Sequence, residues 1–157
     1  MIASVVEAEG WHIPLIAEDA READRVELWL QARSNPLDAM ERGRRRSVLC
    51  FTCLLDGEPA AMFGVTPYVT LLGQGVPWMV GSNRLMAWAG QRALLSLAPA
   101  YVAQMQAAFP MLINAVHDDN VAAKRWLRWL GFHLLDATPV GPDRAPFRPF
   151  YRTRDDV

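Results

Sequence analysis

Four short stretches carry side chains that could do chemistry. Cys50 and Cys53 spell Cys-Phe-Thr-Cys, the spacing of a redox pair or of half a zinc site. Zinc needs about four ligands, and no second Cys-x-x-Cys or paired histidines follow. Residues 48–55 read as a buried strand, on which positions three apart point to opposite faces. Two core thiols in a reducing compartment are therefore expected. His117-Asp118-Asp119 sets a group that titrates near neutral pH beside two carboxylates, as a general base requires. A His-Asp-Asp turn before a helix is also what plain capping chemistry produces. Arg42, Arg44, Arg45 and Arg46 could grip a phosphate, or could end a solvated helix where cations are favourable. Phe147-Arg148-Pro149-Phe150-Tyr151-Arg152 could stack bases, and a terminal strand with two faces explains it equally well. His12 and His133 have no partner visible in sequence and are read as structural.

The elements that must position these groups fit one domain, residues 1–157, at 17.6 kDa. Hydrophobic residues make up 52% and charged residues 21%, the balance of a packed chain. Sixteen basic and seventeen acidic side chains leave a net charge of -1, so no global positive field favours nucleic acid or an anionic membrane. The uncharged runs 59–83 and 93–117 are broken by Pro67, Gly73, Gly75 and Pro77, and by Pro99 and Pro110. Neither is the ~20-residue apolar helix a bilayer demands. Glu7 and Glu9 stand where a signal peptide needs positive charge, so the chain is expected to stay where it is made.

Along the chain, a short apolar start at 2–6 precedes a helical stretch with Glu18 and Asp19 in its first turn. Asn35-Pro36 breaks it, and a second helix is expected over 36–44. A hairpin follows, 48–55 and 60–66, turning at Asp56-Gly57. A third strand is expected at 76–80. The spacing of Leu94, Leu95, Tyr101, Val102, Met105 and Phe109 predicts a long helix, with Pro99 as its kink or break. Residues 111–116 form another strand. Asn120 caps a helix through Leu130, with Ala123, Trp126, Leu127 and Leu130 on its core face and Arg125 and Arg128 off it. Short strands at 132–135 and 147–152 flank a Pro- and Gly-containing loop. This order predicts an α/β (α+β) fold on a single mixed sheet, with strand 76–80 beside strand 111–116.

Within Asn120–Phe132, Asn120, Ala123, Gly131 and Phe132 fall at the spacing that closes the acyl-CoA site in GCN5-related N-acetyltransferases, and the segment resembles that motif. The element order is similar too. The longer pattern "HDDNVAAKRWLRWLGF", with "GVPWMVGS" upstream and "APFRPFYR" downstream, resembles the phage-encoded internal virion protein A branch. That resemblance implies a virion or virion-assembly protein made in the host cytoplasm, with other virion proteins as partners. Six tryptophans, among them Trp11, Trp78, Trp88 and Trp129, offer contact surface for such a role.

The resemblance also implies where acetyl-CoA would lie. Val80, Gly81, Ser82, Asn83 and Arg84 come at the mouth between the splayed central strands, with Asn120 beside them. Ser82 or Asn83 would cap the following helix, Arg84 would meet a phosphate, and His117 would be the base for an amine. The family's phosphate loop, Gln/Arg-x-x-Gly-x-Gly/Ala, is not evident, since Gly81 and Gly90 stand too far apart. Its tyrosine acid, seven residues after the asparagine, is Leu127 here. Acetyl-CoA binding is therefore expected to be weak or absent. The alternative is an active N-acyltransferase on a small-molecule or protein amine. No metal is expected, and neither a nucleic-acid partner nor a membrane segment is.

Overall fold

The computed structural model describes residues 2–156. In chain order it contains β1 (Ala3–Glu7), α1 (His12–Glu18), α2 (Glu22–Ala32), α3 (Pro36–Arg46), β2 (Leu49–Leu55), β3 (Glu58–Pro67) and β4 (Gln74–Gly81). Then come α4 (Trp88–Ala108), β5 (Met111–His117), α5 (Val121–Trp129), β6 (His133–Leu134), β7 (Thr138–Val140) and β8 (Ala145–Thr153). The eight strands form one mixed sheet in the order β1-β2-β3-β4-β5-β8-β6, with β7 also on β8. The pairing of β4 with β5 is parallel, and every other pairing is antiparallel.

Local chemistry explains most boundaries. Asp56 and Gly57 both take positive φ, 50° and 81°, as a tight hairpin between β2 and β3 requires. Asn35 accepts the Asp38 N–H and Pro36 follows at the first helical position, starting α3. Asn120 accepts the Ala123 N–H and caps α5, as the sequence predicts.

Three expectations change. The first helical stretch is two helices: Glu18 ends α1, and Glu22 and Asp24 occupy the first turn of α2. Between them Ala20 leaves the helix to form a bridge with Ser82, a partner that lies far away in sequence. α4 runs unbroken through Pro99, with Ala93 and Met105 buried on either side of it. The loop after β6 contains β7, because Thr138, Pro139 and Val140 find partners in the first residues of β8.

Helices cover both faces of the sheet. α4 and α5 bury Met105, Phe109, Leu127 and Leu130 against Leu112, Val116 and Phe150. α1 and α3 bury Ile13, Ile16 and Met40 against Met62 and Val80. Cys50 packs with the second cluster and Cys53 with a third under α4, so the thiols point to opposite faces. In β8, Phe147, Phe150 and Arg152 are buried, which takes them out of any base-stacking surface. Arg152 donates instead to the Leu130 carbonyl and to Gln106 Oε1, tying β8 to α4 and the end of α5.

Candidate functional site

The site begins where the sheet opens. Met111 N–H donates to the Gly73 carbonyl, and the β4–β5 register is confined to Gln74 with Met111 and Gly75 with Leu112. Gly73 and the alternate β4 residues 75, 77, 79 and 81 turn their backbone polar groups toward β5. The next rung needs an N–H at position 77. Proline has none, so the parallel ladder stops there and the strands part.

Side chains of the protein bond the backbone groups at the opening, beside a cavity of about 560 Å³ lined by Val76, Ile113, Asn114, Ala115 and Leu135. Asn114 Nδ2 donates to the Pro77 carbonyl at 2.7 Å, while its Oδ1 accepts the Ala115 N–H at 2.8 Å. One amide thus bridges β4 and β5 as an inserted peptide unit would. At the far end α2 crosses both strand termini. Asp24 accepts the Gly81 N–H at 2.9 Å, and the Gly81 carbonyl accepts the Arg21 N–H. Arg21 also pairs with Asp24 at 2.8 Å. On the other strand, Glu27 Oε1 accepts from the His117 N–H and from Asn120 Nδ2, both at 3.1 Å. Between these plugs, alternation leaves the Met79 N–H and carbonyl facing the gap.

Glu27, His117, Asp119 and Asn120 line a cavity of about 400 Å³ walled by Ala23, Val26, Val121 and Ala122. Burial pushes the Glu27 carboxyl above its ordinary 4.5, against the opposing hydrogen bonds from Asn120 and His117. Asp118 is committed elsewhere: it pairs with Lys124 at 3.0 Å, and that hydrogen bond holds its carboxyl below the usual range. The His117 ring lies edge-on to Phe147, centroids 5.2 Å apart.

The other residues expected at the mouth separate. Val80 is buried in the core under α1 and α3. Ser82 Oγ donates to the Ala60 carbonyl and Asn83 Nδ2 to Asp19, so neither caps the helix that follows. Arg84 is exposed. Gly81 and Gly90 are packing positions: a Cβ at Gly90 would sit 2.8 Å from the Arg84 carbonyl oxygen, and one at Gly81 would sit 2.7 Å from Leu85.

Sequence reasoning missed two things. Arg84, Ala87 and Ala89 keep the Arg-x-x-Gly-x-Gly/Ala spacing between β4 and α4, with alanine where the resembled family has its first glycine. With alanine at both positions, the stretch carries no glycine signal. Asp24, Glu27 and Asn114 carried no motif, and the turn signals around them concern other partners. Leu127, at the tyrosine position, is buried in the core and faces no gap.

No protein-family model matches the chain, and no curated protein matches it. Solved structures do. An N-acetyltransferase from Staphylococcus aureus Mu50 aligns over 98% of this chain and 99% of its own, at 11% identity and TM-score 0.73. A spermidine N-acetyltransferase from Vibrio cholerae, in complex with CoA and spermine, aligns over 98% and 96%, at 10% identity and TM-score 0.71. An acetyltransferase of the GNAT family from Streptococcus pneumoniae aligns over 97% and 99%, at 15% identity and TM-score 0.62. With the mixed sheet and its parted central strands, these likenesses establish that the chain has the fold of the GCN5-related N-acetyltransferases.

Proposed function

We propose that this chain uses the acetyltransferase fold as a protein-assembly module with a degenerate acyl-CoA site, in the manner of the phage internal virion proteins it resembles. The observation that carries the reading is that side chains already bond the backbone groups at the gap. An extended pantetheine arm would need the edge groups of β4 and β5. Asn114 takes Pro77 and Ala115, Asp24 and Arg21 take Gly81, and Glu27 takes His117. Displacing them breaks one buried and three part-buried hydrogen bonds, each with a net worth of roughly 0.5–1.5 kcal/mol. The residues present therefore fit acetyl-CoA poorly. Leu127 adds a separate defect, since an alkyl group cannot protonate a departing thiolate. On this reading the partners are other virion proteins, and the chain is made in the host cytoplasm. No helix among the described residues is long and apolar enough to cross a membrane.

A second reading, N-acyl transfer to an amine, is favoured by the cavity at Glu27, His117 and Asn120. A carboxyl raised by burial is the kind of base that deprotonates an ammonium group near neutral pH.

Calorimetric titration with acetyl-CoA separates the two. Weak or absent heat, together with the chain recovered in gradient-purified particles, is expected for the assembly module. A low-micromolar dissociation constant, with turnover on any amine lost in Glu27→Gln or His117→Ala, overturns it.

A further inference from the structure

His12 opens α1, and unlike the half-buried His117 and the exposed His133 it is closed off from solvent, at 1% exposure. Its Nδ1 accepts the Glu9 N–H at 3.0 Å, so the imidazole is neutral and carries its proton on Nε2, 3.8 Å from Glu9 Oε2. The same carboxylate accepts from the exposed Trp11 indole at 3.0 Å, and the Trp11 ring stands edge-on to His12, centroids 4.4 Å apart. One buried ring thus ties together the turn that joins β1 to α1. The rest of that turn is held lightly. The His12 and Ile13 N–H groups donate to the Glu9 and Gly10 carbonyls, and Glu9, Gly10 and Trp11 are all exposed. Ala8, Ile13 and Ile16 on either side are buried in the core, so the turn can open while its anchors stay in place.

We infer that His12 is a pH-sensitive latch: the neutral ring holds the β1–α1 turn closed with Trp11 fixed at the surface, and protonation of Nδ1 by solvent releases both. An imidazolium carries N–H at both ring positions, so its Nδ1 would meet the Glu9 N–H donor to donor and the bond is lost. The ring must swing out or the turn must move away. Among the groups that face it, Glu9 on the turn favours the imidazolium. Arg44 of α3, whose guanidinium donates to the Ala8 carbonyl at 3.5 Å, disfavours it. Of the strands beneath, β2 presents Cys50, a thiol kept neutral by burial, and β3 carries one titratable group, Glu58, exposed at the β2–β3 turn. Burial, opposed by Glu9 and aided by Arg44, holds His12 below its ordinary 6.5. The latch is therefore closed above pH 6.5 and opens as pH falls through the lowered folded value. This goes beyond the assembly reading and does not depend on acetyl-CoA.

An NMR titration of the full chain from pH 7.5 to 4.5 tests this. The His12 ring should titrate with a midpoint below 6.5. Across that midpoint the Glu9 amide should lose at least tenfold in protection, corrected for intrinsic exchange, while the Met62 amide in the central strand β3 stays protected. The Trp11 indole N–H should shift with the same midpoint. His12→Asn offers an amide oxygen near the Nδ1 position with nothing to titrate, so its Glu9 amide should stay protected throughout. His12→Ala should leave that amide fast at every pH, and the wild-type titration stands without either variant. A ring still neutral at pH 4.5, a midpoint at 6.5 or above, or a Glu9 amide indifferent to the ring overturns the proposal. So does a pH dependence that survives in His12→Asn. Loss of Met62 protection at the same midpoint also overturns it, because the event is then unfolding of the whole chain.

Discussion

The side-chain amide of Asn114 spans the point at which β4 and β5 part, donating to the Pro77 carbonyl and accepting the Ala115 N–H. It stands in for the rung that Pro77 removes. Asn114→Ala should strip both groups of their partner and cost ~1–3 kcal/mol in urea denaturation. Asn114→Asp keeps the acceptor but loses the donor, so it should fall between wild type and alanine at neutral pH. An alanine variant as stable as the parent would mean that water serves the gap equally well. If the side chain also blocks the gap, acetyl-CoA should bind Asn114→Gly more tightly than wild type in the same calorimetric titration.

Glu27 predicts a pH dependence with a definite sign. Burial sets its folded pKa above the ordinary 4.5, so the folded protein holds that proton more tightly than the unfolded chain does. The associated stability is fully present below pH 4.5 and is lost as pH rises through the raised folded value. Glu27→Gln keeps an oxygen for His117 and Asn120 without the charge. Its stability relative to wild type should therefore improve steadily from pH 4.5 toward neutrality in denaturant melts. A difference that shrinks over that range would refute the assignment. Glu27→Ala, which leaves both donors without an acceptor, should be destabilised at every pH.

Trp126 packs half-buried against the core under α5, with Nε1 shielded from solvent and unpartnered. Trp126→Ala should therefore cost less than the ~3–5 kcal/mol of a fully buried aromatic. Trp126→Phe removes the orphaned N–H along with some volume, and should cost far less. If phenylalanine were as damaging as alanine, the indole nitrogen would have to have a partner.

The thiols should be inert in the folded state. Burial pushes Cys50 up to about 11 and raises Cys53 as well, so thiolate is scarce at neutral pH. Alkylation followed by mass spectrometry should label both only as fast as the chain unfolds. Rapid labelling of native protein at either position would show an exposed, reactive cysteine.

Much of the fold was legible because it rests on local signals. Asp56-Gly57 fixes the β2–β3 turn, Asn35-Pro36 starts α3, and Asn120 with Gly131 bounds α5. The site was legible only where a motif ran along the chain, as in Asn120 and His117. Asp24, Glu27 and Asn114 act on Gly81, His117 and Pro77, which are remote in sequence, and nothing beside them signals those partners. The split between α1 and α2 failed for the same reason, since Ala20 is drawn out of helix by Ser82.

The side-chain bonding at the gap also bears on how slowly the sheet exchanges its hydrogens. A parted parallel pair would ordinarily show a seam of fast amides along both strand edges. Here Ala115, His117 and Gly81 each donate to a side-chain oxygen, so their amides should stay protected although no neighbouring strand receives them. Met79 is the exception left by alternation. In deuterium exchange the sheet should therefore look nearly continuous, with a single fast amide marking where its backbone ladder is broken.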